Sequence, residues 1–127
     1  MSIDEKPSIG AILWHDLTVP DAEANRKFYC EVVGWKSEPV DMGGYNDFNM
    51  NAPDTGQTIA GVCHARGQNA KAPPQWLIYI NVADVDEAAK KCVKMGGKVI
   101  DGPKPIGPGR VCVIQDPAGA YAALYRA

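Results

Sequence analysis

Across residues 9–19 the apolar side chains fall on alternate positions, with Leu13, Leu17 and Val19 on one side, the period of a half-buried strand. Pro20-Asp21 stops that run and places Asp21 to cap a helix. Ala24, Phe28 and Val32 then recur at four-residue spacing, a stripe expected to pack on a sheet, and Gly34 stands where a helix should end. Three short segments follow, around residues 35–39, 45–51 and 57–65, separated by Gly43-Gly44 and Pro53-Asp54. They predict three antiparallel strands.

After a polar, proline-rich connector at 66–75 the same order returns. Residues 76–82 predict a strand with Trp76, Ile78, Ile80 and Val82 on one face. Asp84 and Glu87 are spaced for a capping box. Val85, Ala88, Ala89, Cys92 and Met95 make the apolar stripe of a second helix, closed by Gly96-Gly97. Strands are expected near 98–101, 110–115 and 120–126, with Asp116-Pro117-Ala118-Gly119 as a hairpin turn. Written against itself, the chain aligns at an offset of 63 residues: Leu17 to Asp21 falls on Ile80 to Asp84, Lys27 on Lys90, and Gly34 on Gly97. The reading is one α+β domain, residues 1–127, made of two tandem βαβββ modules (about 9–65 and 76–127) joined by the linker 66–75. A shared site is expected between such repeats.

Composition narrows the class without naming a function. Hydrophobic residues at 46% and charged residues at 22% of 127 are those of an ordinary globular domain, able to bury a core without staples. A net charge of −2 gives no electrostatic reason to expect nucleic acid or an anionic membrane. Residues 1–6 lack the apolar run of a signal peptide, and no stretch approaches a transmembrane length. The four cysteines, Cys30, Cys63, Cys92 and Cys112, are widely and irregularly spaced with no CxxC pair. They predict reduced, mostly buried thiols and a cytoplasmic protein.

Leu17 to Trp35 (LTVPDAEANRKFYCEVVGW), Ile80 to Val99 (INVADVDEAAKKCVKMGGKV) and Asp116 to Tyr125 (DPAGAYAALY) resemble the vicinal oxygen chelate superfamily, which includes glyoxalase I, bleomycin resistance proteins and extradiol dioxygenases. The order, spacing and duplication of these stretches carry the resemblance, over nearly the whole chain. It implies that the modules curl a mainly antiparallel sheet into a cup, with the helices on its convex side. Trp14-His15-Asp16-Leu17 and the stretch from Pro73 to Tyr79 look most like a bacterial glyoxalase-like subgroup.

The resemblance also implies where a divalent metal would be held: by His or Glu on the first and last strand of each module, acting as a Lewis acid on vicinal oxygens of a substrate. The first-strand ligand stands three residues before the Leu of an L-x-V-x-D pattern, which here is Trp14, with Leu77 as its repeat partner. The last-strand Glu falls on Ala123, and in the first module on Ala60 or within residues 59–62 if the alignment slips. None of these side chains offers a lone pair to a cation. The expectation is that there is no metal and no other cofactor.

Other chemistry-bearing residues read more plainly. His15 shares parity with Leu13 and Leu17, so it is expected in the core or at a rim rather than as a replacement ligand, unless a one-residue bulge intervenes. His64 reads as a solvated strand end. Cys63 and His64, adjacent in a strand, point apart and do not make a nucleophile–base pair, so Cys63 reads as a structural thiol. Gly107-Pro108-Gly109-Arg110 lacks the residues of a phosphate loop and reads as a rim turn, with Arg110 solvated or touching an anionic ligand.

Strand parity lines the cup with Trp14, Asp16 and Thr18 from the first module and Leu77, Tyr79, Asn81, Tyr121 and Tyr125 from the second. Aromatic walls with a few polar groups suit a small-molecule pocket, and equally a second core filled by the aromatics themselves. Asp16 is the only carboxylate expected there and the only general-base candidate. No other catalytic residue is assigned. Three functions follow: a metal-independent binder of a small apolar or aromatic molecule, as in bleomycin resistance relatives; a glyoxalase-type lyase or isomerase using Asp16 or an atypical metal site; or a self-association module. The resemblance further implies a homodimer.

Overall fold

A computed structural model describes residues 7–127, so the expectation for residues 1–6 lies outside the described residues. The elements run β1 (Ile12–Val19), α1 (Ala22–Val33), β2 (Lys36–Asp41), β3 (Asn46–Asn51), β4 (Thr58–His64), a short 3-10 turn (Gly67–Asn69), β5 (Trp76–Asn81), α2 (Val85–Lys94), β6 (Lys98–Ile106), β7 (Gly109–Gln115) and β8 (Tyr121–Arg126). This is an α+β chain of two βαβββ modules. Its helices are too short to cross a membrane among the described residues.

The chain groups into two compact units. One is residues 15–76, and the other combines residues 7–14 with 77–127. In the first unit the strands run β2-β3-β4-β1, antiparallel except for the parallel pair β1/β4, where Asp16 faces Gly61 and Leu17 faces Val62. In the second they run β5-β8-β7-β6, antiparallel except for the parallel pair β5/β8, where Tyr79 faces Ala123. Residues 7–14 join the second unit through Asn81, whose backbone exchanges hydrogen bonds with Gly10 (2.7 Å) and Ala11 (2.8 Å).

The helix ends are fixed locally. Asp21 accepts from the backbone N–H of Ala24 at 3.1 Å, and Gly34 closes α1 with φ of 89°, a left-handed conformation that costs a residue without Cβ little. Asp84 accepts from Glu87 N–H at 3.1 Å, which is half of the expected capping box. The Glu87 carboxylate pairs with Lys90 at 3.2 Å. The Asp116–Gly119 turn forms as read, with Asp116 Oδ1 accepting from Ala118 N–H (2.9 Å) and Ala120 N–H (3.0 Å). Gly97 is needed for space: a Cβ there would sit 2.6 Å from Cys92 Sγ and 2.8 Å from the Gln115 carbonyl.

Each helix covers one face of its own strands. In the first unit Leu17, Val19, Phe48, Met50 and Val62 form the core with Ala22 of α1. Tyr29 and Cys30 of the same helix pack on it with Trp35 and Trp76. In the second, Val85 and Ala89 of α2 meet Cys112 and Leu124.

The expected α1 stripe is wrong by about half a turn. Phe28 and Val32 are 54% and 65% exposed, and Ala24 is exposed too, whereas Ala22, Arg26, Tyr29 and Cys30 face the sheet. The reason is long-range. Tyr29 packs edge-on against Trp76 and accepts a hydrogen bond from its indole N–H at 2.9 Å. It also lies beside Trp35, and Arg26 lays its guanidinium over the Phe48 ring. Burying a tyrosine with its hydroxyl satisfied outweighs burying Phe28, whose ring meets that of Tyr29 edge-on at 5.1 Å while staying exposed. Met95, assigned to the α2 stripe, is 75% exposed, because α2 ends at Lys94 and Met95 becomes its cap.

Met50→Ala should cost about 2–5 kcal/mol, because Met50 is fully buried. Phe28→Ala should change stability by no more than about 1 kcal/mol. Urea unfolding of both variants checks this, and a Phe28 variant as damaged as the Met50 one would contradict the helix orientation.

Candidate functional site

Because side chains alternate across a strand, the face each helix leaves uncovered holds the other half of every strand. On that face of the first unit, β1 contributes Asp16 and Thr18, β3 contributes Asp47 and Asn49, and β4 contributes Gly61 and Cys63. The register sets them side by side, with Thr18 opposite Cys63 and Asn49 opposite Gly61. Thr18 and Asp47 are buried, and Asp16 is half-buried.

These groups sense one another. The Cys63 thiol is pushed up to about 12, first by burial, then by the charges of Asp16 and Asp47 and by its hydrogen bond to Asp47. A thiol held this way stays protonated and donates, so Cys63 is a structural hydrogen-bond donor and no nucleophile at neutral pH. Asp47 also accepts from the backbone N–H of His64 at 2.9 Å and stands 3.4 Å from His64 Nδ1. The solvated reading of His64 needs correction: its side chain is only 19% exposed, held by that buried carboxylate and by Tyr45, whose ring meets it edge-on at 5.5 Å. Asp47 is the residue that sequence reasoning missed. Its signal was present, because Phe48 and Met50 point to the core and alternation sends Asp47 the other way.

In the second unit the uncovered face is apolar and aromatic. Leu77, Val111, Val113 and Ala123 are buried there, with Tyr79, Ile100, Tyr121 and Tyr125 half-buried against them. The rings of Tyr79 and Tyr125 meet edge-on at 6.4 Å. Leu77, Tyr79, Tyr121 and Tyr125 therefore share one surface of this unit. Trp14, also of this unit, is half-buried. Asn81 is buried and donates its side-chain amide to the carbonyls of Pro7 (3.1 Å) and Ser8 (3.0 Å), tying down the chain that precedes β1. His15 is exposed on β1. Arg110 is part-exposed, and its guanidinium is engaged by a carboxylate. It grips Asp86 with two hydrogen bonds, 2.7 and 2.9 Å, and holds that carboxyl below the usual carboxylate range.

The positions of the expected metal ligands can be checked by register. Tyr79 pairs with Ala123 as Asp16 pairs with Gly61, so the first-module counterpart of Ala123 is Gly61 rather than Ala60, which is buried opposite Met50. The four positions are then Trp14, Gly61, Leu77 and Ala123. An indole, a hydrogen, an isobutyl and a methyl group do not fit a divalent cation, which needs oxygen, nitrogen or thiolate donors. No group of three or more His, Cys, Asp or Glu side chains is arranged to hold a metal ion among the described residues.

Comparison with known proteins gives a consistent family. The model of the glyoxalase/bleomycin resistance protein/dioxygenase superfamily matches residues 9–124. "Anthracycline biosynthesis protein DnrV" of Streptomyces peucetius is 32% identical over 92% of this chain and 47% of its own length. "Putative glyoxylase CFP32" of Mycobacterium bovis is 37% identical over 90% of this chain and 44% of its own. The chain thus spans about half the length of the curated relatives it matches. A methylmalonyl-CoA epimerase from Streptomyces coelicolor, solved with 2-nitronate-propionyl-CoA, shares the fold at a TM-score of 0.51 and 20% identity, covering 93% of this chain and 97% of the other.

Thiol chemistry tests the first-unit cluster. At pH 8 Cys63 should alkylate at least about a hundredfold more slowly in the native protein than in the unfolded one, read by peptide mass mapping. Its raised value also means the folded state holds a proton that the unfolded chain releases. The stability it contributes is complete below pH 9 and is lost as pH climbs towards about 12. Rapid labelling of native Cys63 at pH 8 would contradict the assignment.

Proposed function

Because this chain belongs to the glyoxalase/bleomycin resistance protein/dioxygenase superfamily, we propose that it binds a small apolar or aromatic molecule without the help of a metal ion. The observation that carries this reading is the uncovered face of the second unit, where Tyr79, Tyr121 and Tyr125 stand half-buried over Leu77, Val111, Val113 and Ala123. Phenol rings offer faces and edges for stacking, and their hydroxyls can orient a polar substituent of the ligand. The relative named for anthracycline biosynthesis points to the same ligand class, since anthracyclines are flat fused-ring aromatics. Trp14, Gly61, Leu77 and Ala123 support the metal-free part, for they supply no donor atom.

A glyoxalase-type lyase or isomerase acting through Asp16 is the second reading. It is supported by the place of Asp16 on the uncovered face of the first unit, close enough to Cys63 for its charge to be felt there. Under that reading Asp16→Asn abolishes turnover and spares binding. A second copy of this chain is proposed to cover the exposed Ala24, Phe28 and Val32 stripe of α1. That is supported by relatives about twice as long, and sedimentation of the protein before and after Phe28→Ser tests it.

Thermal unfolding with 1-naphthol and an anthracycline as probes tests the main proposal. Saturating probe should raise Tm by about 10 °C, the effect of a ligand at roughly a hundred times its Kd, equally with and without EDTA. Tyr121→Ala should weaken binding about tenfold. Stabilisation abolished by EDTA, or absent with every aromatic probe, would overturn the reading.

A further inference from the structure

The far end of β4 carries a cluster that the tyrosine face does not use. Asp47 on β3 is 6% exposed. Its Oδ1 accepts from the His64 backbone N–H at 2.9 Å and stands 3.4 Å from His64 Nδ1. A carboxylate at Nδ1 selects the tautomer with the proton on that nitrogen and leaves Nε2 with the lone pair. Nε2 lies on the opposite edge of the ring, and the His64 side chain is 19% exposed. The 3.4 Å separation is at the long end for a hydrogen bond.

Tyr45, just before β3, meets His64 edge-on at 5.5 Å. Arg66, two residues after His64, lays its guanidinium over the same ring at 3.9 Å. A permanent cation and a titratable base thus share one aromatic support. The stacked guanidinium keeps its N–H groups in its own plane, the geometry that grips an oxyanion from the side. Around His64 stand Asp47 from β3, which also holds the Cys63 thiol, and Tyr45 with Arg66 over its ring. The Cys63 thiol, protonated at neutral pH, donates to Asp47 and helps fix it.

We propose that Arg66 and His64 form a second ligand site, in which Arg66 holds the oxyanion of a small phosphate monoester and His64 Nε2 takes the proton of its remaining P–OH group. Asp47 is a positioning residue, acting through the imidazole. The exchange moves one proton between ligand and Nε2 and needs no co-reactant. The site is carried by the first unit alone and is independent of aromatic binding at the tyrosines.

The test is nitrogen-15 NMR of the whole labelled chain, with acetate and inorganic phosphate as separate probes. At pH 8 His64 should show the Nδ1–H tautomer. Millimolar phosphate should shift the His64 ring nitrogens and the Arg66 side-chain signals, and acetate, which carries no hydroxyl proton, the Arg66 signals alone. Arg66→Gln should weaken binding at least about tenfold with unchanged circular dichroism. Asp47→Asn should move the imidazole toward the Nε2–H tautomer. Should Asp47→Asn unfold, the tautomer of the native protein and the Arg66→Gln titration decide alone. An Nε2–H tautomer in the native protein, shifts confined to other residues, or undiminished binding by Arg66→Gln would each overturn the proposal.

Discussion

The two-residue alternation of side chains along each strand is the constraint on which the rest of this structure depends. Once a helix covers one face of its four strands, every second side chain is committed to the core, and its neighbours must form whatever surface the unit presents on the other side. In the first unit Leu17, Phe48, Met50 and Val62 go to α1, which sends Asp16, Asp47 and Cys63 to the uncovered face. In the second, Cys112 and Leu124 go to α2, which leaves Val111, Ala123 and the tyrosines on the other. The same rule applied to the two copies gives one face that is polar and one that is aromatic.

Most of the fold was legible because its signals are local. Asp21 and Asp84 as caps, Gly34 as a helix stop and the Asp116–Gly119 turn act through neighbours a few residues away, and each forms as read. The orientation of α1 was not legible for the opposite reason. Ala24, Phe28 and Val32 make a tidier stripe than Ala22, Arg26 and Tyr29, and only the approach of Trp76, 47 residues away in sequence from Tyr29, decides which side is buried. Periodicity counts apolar residues; it cannot see a tyrosine whose hydroxyl finds a distant indole.

The candidate site divides in the same way. Leu77, Tyr79, Tyr121 and Tyr125 share a surface, because parity alone places them. Asn81 obeys parity too, yet its amide is spent on Pro7 and Ser8, partners that no strand pattern shows. Asp47 and His64 escaped because their importance lies in a contact between strands, the carboxylate of Asp47 on β3 with the backbone and ring of His64 on β4. For the first-module metal position, pairing selects Gly61 from the range 59–62 in place of Ala60, and the exchange of one donorless residue for another leaves the chemistry unchanged.

Native mass spectrometry of the chain after incubation with nickel, zinc and ferrous ions tests this account most directly. It predicts a mass equal to the polypeptide with no cation retained in stoichiometric amount. One ion held per chain in stoichiometric amount would contradict it.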